Sequence, residues 1–249
     1  MKQFYIIALC LLCIGQAANA APRSKSSKDA ITAPQVYAIA MKAWANGNQA
    51  GAEAVLAKAV EAFPSDQRLA FFNAACTRSR FDVEAASPLF ANVRQLAPAS
   101  PDGKCALYVM NIDGNVDIER NFRNLGALAE SHPTDVMIMW MAAVESRQIA
   151  LTYKGTDTAK NVGLYGIHCY EKLLSTIKAV GPSLVHQTFA NLLDDSGRTD
   201  LAVVHRRLAV AQEPASWSCE ALVGDLEALG LNDEAARVRT KYARYLNEN

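Results

Sequence analysis

The sequence predicts an all-α fold, an array of antiparallel helix pairs, and three observations predict it. Five of the nine prolines, Pro64, Pro98, Pro133, Pro182 and Pro214, are spaced 34, 35, 49 and 32 residues apart, and amphipathic runs such as 52–63 and 89–97 end at them. Proline stops a helix there, because it lacks the N–H and restricts the residue before it. Turn signals lie between successive prolines, at Asn46-Gly47-Asn48, Asp113-Gly114-Asn115, Ser196-Gly197-Arg198 and Leu229-Gly230-Leu231-Asn232. Each period therefore holds two helices. Aligning the prolines also aligns small residues: Ala40, Ala74, Ala190 and Gly224 in the first helix, and Ala52, Ala86, Ala202 and Ala236 twelve residues further on in the second.

The chain has 249 residues, 25 Lys+Arg against 25 Asp+Glu, and 51% hydrophobic residues. Balanced charge argues against a dedicated nucleic-acid binder, which needs a cationic surplus to neutralise phosphates. The one long apolar run, 4–14, is too short to cross a hydrocarbon core of about 30 Å as a helix. Lys2 precedes it and Ala18-Asn19-Ala20 follows, so 1–20 reads as a signal peptide cleaved after Ala20. Cys10 and Cys13 are preceded by Leu9 and Leu12, not by the small residue of a lipid-attachment site. Residues 21–33 are polar and Ser/Lys-rich, a tether. The exported chain would be periplasmic or extracellular, with 24 basic against 25 acidic side chains.

The helical domain is expected over 34–249, with about six repeats. Leu56, Phe90, Leu125 and Leu174 share a position eight before the closing proline, and Ala59, Leu128 and Ala209 one five before it. Small residues let paired helices approach, and large ones fill the space between repeats. In repeat two, Ser87-Pro88 predicts a second helix that starts late or kinks. In repeat three, Asn121 stands where alanine is expected. Repeat four carries about fifteen extra residues, either long helices over 135–153 and 158–179 around a turn at 154–157 or a flexible loop. A globular helical bundle is the structural competitor, and the coincidence of small residues phased to the prolines favours the array.

This arrangement resembles the tetratricopeptide repeat (TPR) family over about residues 34–246. The resemblance implies a right-handed α-solenoid of stacked helix pairs, with first helices lining a concave face that binds a protein or peptide partner. On that face fall Tyr37, Met41 and Trp44 in repeat one, Arg68, Phe71 and Arg78 in repeat two, and Met110 and Asp113 in repeat three. Trp140 and Arg147 follow in repeat four, then Gln187, Asn191 and Asp194 in repeat five. Aromatics and arginines mixed with carboxamides suit a peptide-binding surface. A register shifted by one position instead puts Tyr37, Met41, Trp44 and Trp140 inside the helix pairs.

No catalytic motif is present: no GxSxG, no HExxH and no Gly-rich phosphate loop after a strand, so no cofactor or metal is expected and the chain reads as non-catalytic. His186 and His205 belong to the two helices of repeat five and can face each other, but two histidines make a weak metal site. Asp194-Asp195 ends a helix as a solvated acidic pair, and His205-Arg206-Arg207 reads as a solvated face or inter-repeat ion pair. Of the four remaining cysteines, Cys76 and Cys105 lie on successive first helices and are the candidate disulfide, with buried thiols as the other reading. The functional expectation is an exported interaction scaffold. A structural subunit of an envelope assembly and an enzyme with a site around Tyr153, Lys154 and Tyr165 are the alternatives.

Overall fold

A computed structural model describes residues 31–246; the expected signal peptide and most of the expected tether lie outside the described residues. Among the described residues there are thirteen helices and no strand. They form two compact units, one ending at Gly114 and one beginning at Asn115. The first unit holds α1 (Ala33–Ala45), α2 (Gln49–Ala62), α3 (Gln67–Ser79), α4 (Val83–Leu96) and α5 (Pro101–Asp113). The second holds α6 (Ile118–Ser131), α7 (Val136–Thr152), α8 (Asp157–Ile177), α9 (Ser183–Asp195), α10 (Thr199–Gln212), α11 (Ser216–Ala228), α12 (Asn232–Lys241) and α13 (Ala243–Leu246). Within each unit every helix packs against the next, and the first helices α1, α3 and α5 also touch their neighbours in that series.

The small residues sit where the helices approach. Ala40, Ala52, Ala74, Ala86, Ala190 and Ala202 are all fully buried. Large side chains fill the remaining space: Leu56, Phe90 and Leu125 are buried beside them. Two columns depart from proline counting. Lys178 adopts φ 49° after α8 ends at Ile177, which lengthens the link to Pro182 and buries Leu173 in place of Leu174. In repeat six Val223 and Ala235 are buried, whereas Gly224 and Ala236 are exposed. Counting from the turn glycines, Gly197 and Gly230, gives those buried positions directly.

Capping explains where the helices begin. Asn48, Asp82 and Asp117 stand one residue inside the mid-repeat turn, and Asp66, Ser100 and Asp135 stand two residues after a closing proline. Each side chain accepts a hydrogen bond from a backbone N–H of the helix that follows, satisfying a donor that would otherwise lack an intrahelical partner. Asp82 is decisive in repeat two. It starts α4 at Val83, so the helix begins on schedule and Pro88 lies inside it, contrary to the late start expected from Ser87-Pro88. Asn121 replaces alanine without an unsatisfied group, because its amide donates to Val116 O at 2.8 Å and Asp117 O at 3.1 Å.

Repeat four is helical throughout. Every residue of α7 from 137 to 146 is buried, as expected of a helix that is covered on all sides. On α8, Gly166 permits the closest approach: a Cβ there would come within 2.7 Å of Ser146 on α7 and 2.8 Å of Leu192 on α9. Among the described residues all four cysteines are buried thiols, and none is in a disulfide. Cys76 and Cys105 thus pack as small apolar residues, and burial pushes the Cys76 thiol well above its ordinary value.

In repeats one, two and five the mid-repeat turn places a left-handed residue seventeen before the closing proline. Gly47 has φ 82° and Gly197 φ 74°, and Phe81 occupies the same position with φ 62°. A left-handed backbone costs a residue with a Cβ roughly 1–2 kcal/mol. Phe81→Gly should therefore be about 1 kcal/mol more stable to urea than Phe81→Ala, which loses the same side chain but keeps the Cβ; equal stabilities would show that the turn carries no strain.

Candidate partner interface

Three charged or polar side chains expected on the binding wall are instead bonded to the next repeat. On α3, Arg68 Nη1 lies 2.5 Å from Asp102 Oδ1 on α5, and its Nη2 donates to the Tyr37 hydroxyl on α1 at 3.1 Å. The guanidinium also sits 5.2 Å from the Tyr37 ring centroid. Further along the same helix, Arg78 donates from Nε to both oxygens of Asp113, at 3.1 and 3.0 Å, and from Nη2 to Oδ1 at 2.7 Å. Arg78 is fully buried and the Asp113 side chain is 11% exposed. Burial pushes the Asp113 carboxyl up and Arg78 opposes that shift.

Five of the expected wall residues are interior. Trp44, Phe71, Arg78, Trp140 and Gln187 are buried. Trp44 meets Phe72 edge-on at 6.2 Å, and Phe71 packs on Phe90 of its own hairpin partner at 6.2 Å. The reason is helical geometry. Trp44 and Arg78 each follow a small-column alanine, Ala40 and Ala74, by four residues, so they share its inward face. Trp140 lies on the all-round buried α7. Tyr37, Met41, Arg68, Met110, Arg147, Asn191 and Asp194 keep partial exposure.

In the second unit one arginine gathers two of the residues expected on that wall, Asn191 and Asp194. Arg206, on α10 and 4% exposed, donates from Nη1 to Asn191 Oδ1 at 2.8 Å and from Nε to Asp225 on α11. Asp194 lies 3.7 Å from its Nη2 and also accepts from Thr199 Oγ1 at 2.7 Å. Arg207 forms a bidentate pair with Glu234, at 2.9 and 2.8 Å. The basic part of the His205-Arg206-Arg207 cluster is thus a set of inter-repeat ion pairs.

The two histidines of repeat five do face each other. Their rings stack at 5.2 Å and 20°, with Nδ1 to Nδ1 at 2.9 Å, and His186 Nε2 meets the Val180 carbonyl. That carbonyl requires the proton on His186 Nε2, so His186 Nδ1 accepts and His205 Nδ1–H donates. Burial lowers both pKa values, His205 to about 4 with the His186 charge as the second cause.

One open feature is a notch made by the extra length of repeat four. The tip of the α7–α8 hairpin reaches beyond the C-terminal end of α9, and between them lies a cavity of about 460 Å³. Leu151, Gly163, Leu164 and Leu192 form an apolar floor, with Lys154, Lys160 and Asp195 on the rim. Thr156 caps α8 and closes one side. Of the residues considered for an enzyme site, only Lys154 reaches this notch. The Tyr165 hydroxyl instead donates to Gly126 O on α6 at 3.2 Å, and burial holds it well above its usual range. Sequence spacing located the hairpin but not the notch, which depends on how far α9 extends alongside it.

Among solved structures, the chain is similar to TTC0263, a thermophilic TPR protein of Thermus thermophilus, at a TM-score of 0.52 and 14% identity over 74% of this chain and 93% of that one. A MamA mutant matches at 0.50 and 15% identity, over 72% of this chain and 96% of its own. The fold is TPR-like. No protein-family model and no curated protein matches the chain, so the likeness lies in the TPR-like stacking of helix pairs rather than in shared sequence.

Two outcomes test the polar packing. Arg78→Ala leaves Asp113 buried without its cation and lowers the unfolding free energy by about 3–5 kcal/mol, whereas Arg78→Met with Asp113→Leu loses far less; equal losses by urea denaturation would contradict this. The depressed histidine values favour neutral rings in the folded state. Their stabilisation is complete above the unfolded value of about 6.5 and is lost as pH falls from there toward 4. Denaturation midpoints between pH 7.5 and 4.5 should fall accordingly, and His186→Gln with His205→Gln should flatten that slope.

Proposed function

We propose that the protein is an exported, non-catalytic scaffold that holds a peptide segment of a partner protein in the notch at the α7–α8 tip. The observation that carries this reading is the notch itself, an accessible apolar floor with two lysines at its rim. Such a site takes an apolar side chain on the floor and a carboxylate between Lys154 and Lys160. The half-exposed Tyr37, Met41, Arg68 and Met110 of the first unit, and Arg147, Asn191 and Asp194 of the second, are proposed as further contact points. Export is supported by the apolar run 4–14 followed by Ala18-Asn19-Ala20. N-terminal sequencing of the mature chain should then begin at Ala21.

The binding reading is tested in cells with photo-reactive residues at Ala159 and Leu164, which also line the notch, and with controls at Lys58 on α2 and Arg120 on α6. One dominant crosslinked protein is expected from the notch positions, at least tenfold reduced by Lys154→Glu with Lys160→Glu. Equal capture from the controls, or capture indifferent to the lysine reversal, would overturn it.

A further inference from the structure

The outer face of α10 is apolar where the other second helices are polar or small. Leu201, Val204 and Leu208 are 37%, 46% and 38% exposed, and Ala211 is exposed beside them. Their spacing of three, four and three residues places them on one stripe, opposite the inward Ala202, Val203, Arg206, Ala209 and Val210. The repeat supplies its own control. The same four columns hold Gly51, Ala54, Lys58 and Glu61 in repeat one, Ala85, Pro88, Asn92 and Gln95 in repeat two, and Arg120, Arg123, Ala127 and Glu130 in repeat three. In repeat four, in its shifted register, they are the exposed His168, Glu171, Ser175 and Lys178. A stripe the pattern gives to charges and small residues carries two leucines and a valine in repeat five alone.

We propose that this stripe pairs two copies of the chain, α10 against α10, about a two-fold axis through Val204. The charges beside the stripe select a second copy over a foreign helix. Asp200 precedes Leu201 and Arg207 precedes Leu208, seven residues apart and so on the same flank. Antiparallel pairing about Val204 sets Leu201 against Leu208 of the second copy and Asp200 against its Arg207, each twice by symmetry. Arg207 is ready for this: Glu234 holds its Nε and Nη2, fixing the guanidinium with Nη1 turned elsewhere, and its side chain is 42% exposed. The flank thus carries Asp200 and the Arg207–Glu234 pair, both signs at a spacing that complements a second copy of itself in antiparallel order. Three aliphatic side chains per copy make a small interface, so association is at the micromolar level. Pairing would also present two α7–α8 notches to one bivalent partner. The proposal does not depend on what the notch binds.

Sedimentation velocity of the mature full-length chain from about 1 to about 200 µM tests it. The expected result is a concentration-dependent shift from monomer to dimer. Val204→Glu, which sets two carboxylates on the axis, should weaken association at least tenfold. Asp200→Arg and Arg207→Asp should each weaken it as single variants, and an equimolar mixture of those two should recover it, because every flanking pair is then opposite in sign. Recovery in the mixture also shows that both variants are folded. A chain that stays monomeric at 200 µM, a dimer indifferent to Val204→Glu, or a mixture no tighter than its components would overturn the proposal. So would a monomer whose α10 stripe is crosslinked to a different protein.

Discussion

Helices can lie close together only where side chains are nearly absent, and in repeats one, two and five that condition is met by alanine at two fixed places. Ala40, Ala52, Ala74, Ala86, Ala190 and Ala202 leave no accessible surface. Once paired helices approach there, the columns of leucine and phenylalanine have a defined space to fill, and the turn between helices must reverse the chain within three residues. The left-handed backbone at Gly47, Phe81 and Gly197 and the carboxylate, carboxamide and hydroxyl caps that start α2 to α8 follow from that demand.

The polar side chains of the wall do different work from the one their types suggest. Arg68 with Asp102 and Arg78 with Asp113 connect first helices one repeat apart, and Arg206 connects three consecutive helices of the second unit. Buried charge pairs contribute little net stability, because desolvation offsets most of their attraction. Their geometry is nonetheless exacting: a bidentate Arg78–Asp113 pair forms in only one register of neighbouring repeats. Most of the polar side chains expected on a binding face are therefore engaged in fastening one helix to the next.

Repeat four departs from this economy. Its extra residues lengthen both helices, and α9 is too short to cover the added turns. The paired helices still need a flat contact, provided by Gly166 between Ser146 and Leu192. The uncovered end becomes the notch, where apolar floor and lysine rim have no partner helix to fill them.

The sequence by itself determined the helix count per repeat, the boundaries at the prolines, the small-residue columns of repeats one, two and five and the extra length of repeat four, because each depends on local backbone chemistry or on spacing along one chain. The capping columns were equally legible, as an acidic or hydroxyl residue at fixed distances from the prolines, and the inward position of Trp44 follows from its distance to Ala40. Only the tertiary structure decided which charged residues face a ligand and which face another repeat. Arg78 and Asp113 are 35 residues apart, and their pairing depends on how two non-adjacent helices are rotated against each other. The notch and the bare stripe on α10 were undecided for the same reason: an exposed surface is defined by the neighbour that fails to cover it, and no single segment records that.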